Sequence, residues 1–181
     1  QRPLAATWTV TGSGAFILAA QGGKARISAA TPGKVVDFGL KDSLNMGACM
    51  APAACDTICQ HLEDFGRQPS DYDYIITGDL GSVGQTILLD LARERGFDLS
   101  ERHLDCGMLI YDSEKQDTHA GGSGCACSAV TLAAHILPKI EKNQWKRILF
   151  VPTGALLSTV SYNEGQSVPG IAHGVVIEHT S

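Results

Sequence analysis

Residues 72–95, YDYIITGDLGSVGQTILLDLARER, pass from one backbone periodicity to another within a few positions. Tyr74-Ile75-Ile76-Thr77 is a short apolar run after the turn signals Pro69-Ser70-Asp71, which predicts a buried strand. Gly78-Asp79-Leu80-Gly81 breaks the run and predicts a tight loop. Ser82, with Gln85 three positions on, has the form of a capping box opening a helix over residues 83–95. Strand, glycine loop and helix together are the building unit of an α/β sheet.

The unit recurs on both sides. Upstream, Ala51, Cys55, Ile58, Leu62 and Phe65 follow one another at spacings of 4, 3, 4 and 3, the apolar stripe of a helix that Gly66 ends and whose first turn tolerates Pro52. Downstream, Gly121-Gly122-Ser123-Gly124 leads into Ala126, Val130, Ala133, Leu137 and Ile140 with the same spacing, and Pro138 is expected to kink or stop that helix. Residues 148–153 form a buried strand by composition, and 107–111 are a weaker strand candidate. In 171–178, period-two alternation puts Ile171, His173, Val175 and Ile177 on one face. Before all of these, residues 7–18 and 26–38 are rich in β-branched and aromatic residues, and the turn Gln21-Gly22-Gly23-Lys24 between them predicts a hairpin-like pair. The order is β, then βαβαβαββ. It predicts helices packed on a mixed, mostly parallel sheet, with the leading strand 7–18 left without a helix of its own.

Composition agrees with a packed α/β chain. Of 181 residues, 44% are apolar and 18% charged, which excludes a disordered chain. Lys plus Arg number 14 against 19 Asp plus Glu, and no basic run or stripe offers itself to nucleic acid. No apolar stretch approaches the roughly 20 residues that span a bilayer. The chain opens on Gln1-Arg2-Pro3, as expected of a processed protein or a piece of a longer one. Its six cysteines are better suited to small buried positions than to disulfides, because a chain of this length builds its own core.

Both glycine loops precede helices at the edge where the C-terminal ends of parallel strands gather, the usual ligand edge of an open sheet. Free N–H groups at a helix start favour a carboxylate or phosphate, although glycine also precedes helices for local reasons. Neither loop has the Walker or the dinucleotide pattern. The candidate ligand-binding residues are therefore Asp79, Ser82, His119, Ser123, Cys125 and His173. Ser123, Cys125 and Cys127 are candidate nucleophiles beside a helix start, with His119 nearby in sequence but not thereby in reach. Cys125-x-Cys127 lacks the spacing of a structural zinc site, so no metal is expected with His119, and no cofactor either. His61, His103, His135 and His179 are expected on the surface or at caps, and His173 as a hydrogen-bonded residue of an apolar strand face. These residues make a pocket without a convincing catalytic set.

Several segments resemble the stage V sporulation protein AD family of spore-forming bacteria. They are TWTVTGSGAFIL (7–18), ATPGKVVDFGLKDSLNMGACMAPAACDT (30–57), YDYIITGDLGSVG (72–84), HAGGSGCACSAV (119–130), ILFVPTGALLS (148–158) and VPGIAHGVVIE (168–178). The resemblance implies a thiolase-like fold of two similar halves. Residues 1–20 would be the last strand of the N-terminal half and 21–181 the C-terminal βαβαβαββ half, so this piece would expose apolar surface made to face its other half. It also implies a homodimer of the full-length chain, lying peripherally on the spore inner membrane without a transmembrane segment in this chain. There, with other membrane proteins of a dipicolinate channel, it would bind dipicolinic acid (pyridine-2,6-dicarboxylate), with or without calcium, and take part in its uptake into the developing spore.

Condensing enzymes of the same fold carry a His after the strand matching 74–77 and an Asn in the glycine turn before the last helix. Those positions are Gly78 and Ser123 here, and the nucleophilic Cys of those enzymes belongs to the other half. The resemblance therefore implies a relative without catalysis. The alternative is an acyl-CoA or acyl-carrier condensing or acyl-transfer enzyme using Cys125 or Cys127. A purely structural partner in a membrane complex is a third possibility.

Overall fold

The computed structural model describes residues 3–180. In chain order, β1 (Trp8–Thr9) and β2 (Ala25–Thr31) precede the long helix α1 (Met46–Asp64). Next come β3 (Tyr74–Thr77), α2 (Gly81–Glu94), β4 (His103–Asp105), the single turn α3 (Cys106–Leu109) and β5 (Gly122–Ser123). A continuous helical stretch follows as α4 (Cys125–Thr131), a π-helical segment Leu132–Ile136 and α5 (Leu137–Glu141). The chain closes with β6 (Arg147–Val151), β7 (Thr153–Ala155), α6 (Thr159–Asn163), β8 (Gly170–Ala172) and β9 (Gly174–His179).

Five strands form the central sheet in the order β2-β9-β6-β3-β4. β6, β3 and β4 run parallel, and β9 is antiparallel to both its neighbours, so four strands share one direction. With α1, α2 and α4–α5 between them, the order along the chain is the expected βαβαβαββ. β6 shows how the sheet divides the core. Leu149 and Val151 face α1 and α2 with Ile58, Leu62 and Leu88, whereas Ile148 and Phe150 face α4–α5 with Ile136 and Ile140. Successive strand residues point to opposite faces, so a continuous apolar run fills both layers.

Several elements depart from expectation. Only Trp8–Thr9 of residues 7–18 is strand, and it pairs in parallel with β5 outside the main sheet instead of forming a hairpin with β2. After it, Gly12 and Gly14 run against α4: a Cβ on Gly14 would stand 2.7 Å from the Ala129 carbonyl oxygen, so only glycine fits there. β2 ends before Pro32, which has no N–H for a ladder, and pairs instead with β9. Residues 107–111, expected as a strand, are the single helical turn α3 and the bend after it, because Asp105 caps a helix there through the Gly107 N–H; the strand is β4, which ends before them. The strand expected over 171–178 is broken at His173, where the chain leaves β7 for the central sheet. α1 begins at Met46 under an Asn45 cap that accepts the Ala48 N–H, so Pro52 lies inside the helix and not in its first turn. Pro138 neither stops nor sharply ends its helix; the wider π-helical turn just before it gives its ring room, and α5 continues to Glu141.

The histidines also move. His61 is fully buried, its Nδ1 2.7 Å from the Thr31 hydroxyl and its Nε2 2.6 Å from that of Tyr72, which also accepts from Arg67. His103 is buried on β4, with Nε2 2.9 Å from the Thr77 hydroxyl and Nδ1 3.0 Å from the Gln85 amide. Neither is a surface or cap residue. His173 is exposed at the strand break, where Nδ1 accepts the Gly33 N–H, so the apolar face expected for it is not there. Five of the six cysteines are buried, and Cys125 is exposed.

Candidate functional site

β3 and β6 are parallel neighbours, so their C-terminal ends bring Gly78-Asp79 and Pro152-Thr153 to one edge of the sheet. The start of α4 closes over the same edge. Between them opens a cleft of about 660 Å³, walled by Met46, Met50, Phe16, Leu132 and Phe150 and by the polar group of Asp79, Ser123, Cys125, Ser128 and Thr153.

Asp79 ties its parts together. Its Oδ1 accepts the Thr153 hydroxyl at 2.9 Å, its own N–H donates to that hydroxyl oxygen at 3.2 Å, and its Oδ2 accepts the Gly124 N–H at 2.9 Å. The two glycine loops, 45 residues apart in sequence, thus meet through one carboxylate. Burial raises the proton affinity of Asp79 above that of an ordinary aspartate; the Gly124 and Thr153 hydrogen bonds oppose this, and the charge of Asp105 adds to it.

A second carboxylate, missed by sequence reasoning, holds the start of α2. Asp105 is fully buried at the end of β4. Its Oδ2 accepts the Leu80 N–H at 2.9 Å and the Thr77 hydroxyl at 2.7 Å, and its Oδ1 accepts the N–H groups of Gly81 at 3.0 Å and Gly107 at 3.1 Å. This replaces the expected Ser82 capping box: Leu80 is the cap residue and its side chain makes no cap bond. An Asp two residues before Gly107 is a recognisable cap for α3, but nothing local reveals its reach to Leu80 and Gly81. The N–H groups that seemed open to a ligand at Gly81 and Gly124 are thus held by the protein's own carboxylates.

Of the six candidates, Asp79, Ser123 and Cys125 line the cleft, and Ser82, His119 and His173 do not. Ser82 is exposed on the first turn of α2, its N–H bound to the Ala120 carbonyl. His119 has φ 52° and lies 3.9 Å from Asp117. Ser123 shares a 2.6 Å hydrogen bond with the Thr7 hydroxyl. Burial and the charges of Asp79 and Asp105 push the Cys127 thiol up to about 12, so it stays protonated and donates to the Gly78 carbonyl at 3.6 Å. Cys125 is left as the accessible thiol of the cleft.

Gly78 has no room for a side chain. A Cβ there would lie 2.7 Å from both the Thr153 nitrogen and the Ser128 hydroxyl. Gly78→Ala is expected to lose about 1–3 kcal/mol through overpacking, seen as a lower midpoint in urea, because β7 must move. A midpoint equal to that of the wild type would show that this edge yields freely.

The family profile described as stage V sporulation protein AD matches residues 1–178. The chain belongs to this family. It is 48% identical over 178 residues to stage V sporulation protein AD of Bacillus subtilis (strain 168), an alignment covering 98% of this chain and 52% of the relative. The chain thus spans about half the length of that family member. Among solved structures it is similar to AbyA1, a tetronic acid condensing enzyme (TM-score 0.45, 13% identity, 85% of this chain and 47% of that one). It is also similar to 3-oxoacyl-[acyl-carrier-protein] synthase III from Aquifex aeolicus VF5 (TM-score 0.43, 12% identity, 88% and 46%). Stage V sporulation protein AD is, by its name, a protein of sporulation.

Proposed function

We propose that this chain is the C-terminal half of a non-catalytic, thiolase-like protein that binds dipicolinic acid, with or without calcium, and takes part in its uptake into the developing spore. The cleft carries this reading. Its Met46, Met50 and Phe150 walls suit a flat aromatic ring, the Ser128 hydroxyl faces the cleft to donate to a carboxylate, and the Ser123 hydroxyl can donate to one while it accepts from Thr7. Non-catalysis is supported by the crowding at Gly78, where condensing enzymes place an imidazole, and by the protonated thiol of Cys127. Residues 1–20 would then belong to the N-terminal half and 21–181 to the C-terminal one. The exposed apolar side chains of Ile17, Leu18, Phe38 and Val160 support a further surface packed over them. The whole protein would act as a homodimer, peripheral to the spore inner membrane and held by the membrane proteins of the channel. No helix among the described residues is long and apolar enough to cross a membrane, which is compatible with such attachment.

Titration calorimetry of the full-length protein with dipicolinate, with and without calcium, is the direct test. Saturable heat together with a change in Trp fluorescence is expected. Millimolar ligand giving neither in either condition would sink the proposal. The exposed Cys125 favours one competing reading, acyl transfer. Incubation with acyl-CoA followed by intact mass measurement decides it, because a thioester on Cys125 would make the protein an enzyme.

A further inference from the structure

Among the described residues lining the cleft, Asp79 is the one carboxylate, and there is no Lys, Arg or His. An incoming dicarboxylate therefore meets a like charge and no counter-charge. Asp79 cannot swing aside cheaply, because the Gly124 N–H and the Thr153 hydroxyl would both lose their acceptor. Each of its oxygens accepts one hydrogen bond from these partners, and a carboxylate has about four lone-pair sites, so positions remain for a proton.

We propose that Asp79 takes up one proton from solvent as an anionic carboxylate ligand enters the cleft, and that the resulting carboxyl O–H donates a hydrogen bond to the ligand. Resting on the cleft being a carboxylate-ligand site, this makes Asp79 the residue that couples occupancy to pH. The proton comes from water or buffer and ends on Asp79; no other bond is made or broken. The environment favours it. Facing Asp79 are the Thr153 hydroxyl from β7, the Gly124 N–H and the Cys127 thiol from α4, and Asp105 from β4, with Cys125 on the same cleft wall. None of these is cationic, and burial already holds the Asp79 proton more tightly than in an ordinary aspartate.

The test is calorimetry of the full-length protein with dipicolinate and no divalent cation, in buffers of differing ionisation enthalpy. Between pH 6 and 8 the ligand is already a dianion. The wild-type protein is expected to take up about one proton per ligand, with affinity falling about tenfold per pH unit. Asp79→Asn, which keeps the shape and can still bond Gly124 and Thr153, is expected to bind with no buffer dependence and a flat pH profile. Wild-type binding without proton uptake, or an unchanged slope in Asp79→Asn, would overturn this inference alone. Absence of binding heat in every buffer would overturn the assignment of the cleft, and the proton coupling with it.

Discussion

Asp105→Ala is expected to lower stability by about 3–5 kcal/mol, because it strips a buried carboxylate from the donors arranged around it. The N–H groups of Leu80, Gly81 and Gly107 and the Thr77 hydroxyl would lose their acceptor together. Leu80 and Thr77 are fully buried, so water cannot replace what is lost without opening the structure. For a chain of this size, each kcal/mol lowers Tm by about 2–4 °C, so a fall of roughly 6–20 °C should appear in a thermal melt. Asp105→Asn separates shape from chemistry. Its amide would point an N–H at a partner that is itself a donor, so an intermediate loss is expected. The damage should reach the site, since Asp105 holds the end of β3 and the start of α2 against the loop that carries Asp79. If Asp105→Ala melted with the wild type, the start of α2 would have to be held by something else.

The second large effect is loss of stability in acid. Burial lowers the proton affinity of His61 and His103, each to a pKa of about 4 from an ordinary 6.5, helped at His61 by the charge of Arg67 and opposed at His103 by that of Asp105. A histidine whose folded pKa is depressed contributes its stability above the unfolded pKa. That contribution is lost as pH falls from about 6.5 toward 4, because the unfolded chain binds the proton first. The hydrogen bonds explain the preference for the neutral ring. Thr77 donates to Asp105, so His103 Nε2–H donates to Thr77 and its Nδ1 accepts from Gln85, which leaves no acceptor for a second proton. Each site is expected to lose on the order of 2 kcal/mol across the window, and together a Tm decrease of roughly 10 °C between pH 7 and 4.5. Asp79 works weakly in the opposite sense, since its raised proton affinity favours the folded state in acid. Melts at several pH values on the wild type, His61→Gln and His103→Gln would check this. The variants are expected to be less stable at pH 7 but to show a shallower acid slope. Parallel slopes in all three would assign the acid sensitivity elsewhere.

Periodicity was the legible part of the fold. The 4-3-4-3 stripes named two helices: Ala51, Cys55, Ile58 and Leu62 are buried while Phe65 is exposed past the end of α1, and in the second Ala126 and Ile140 are buried with Val130, Ala133 and Leu137 partly so. The runs at 74–77 and 148–153 became neighbouring core strands. Strand ends were less legible, because Gly12 and Gly14 bring the chain after β1 against Val130 and Ala129 of α4 although the composition of residues 7–18 favours strand. The same limit applies to the site. Asp79 could be chosen because a lone acid in a glycine loop is conspicuous. Asp105 escaped because its donors are 24 and 25 residues upstream as well as next door. His61 and His103 escaped because the residues that satisfy them, Thr31, Tyr72 and Thr77, give no local sign of pairing.

By itself the sequence determined the order of helices and strands, the two glycine loops and the family. Side-chain period and turn chemistry are local properties, and six matching segments in the same order are a pattern in the chain itself. Only the tertiary structure decided what those loops offer. Packing β3 beside β4 and β6 brought Asp105 onto one helix start and Asp79 onto the other, so the N–H groups of Leu80, Gly81 and Gly124 are taken by internal carboxylates. What remains for a ligand is an apolar-walled cleft with one acid in it, and that follows from hydrogen bonds between residues far apart along the chain.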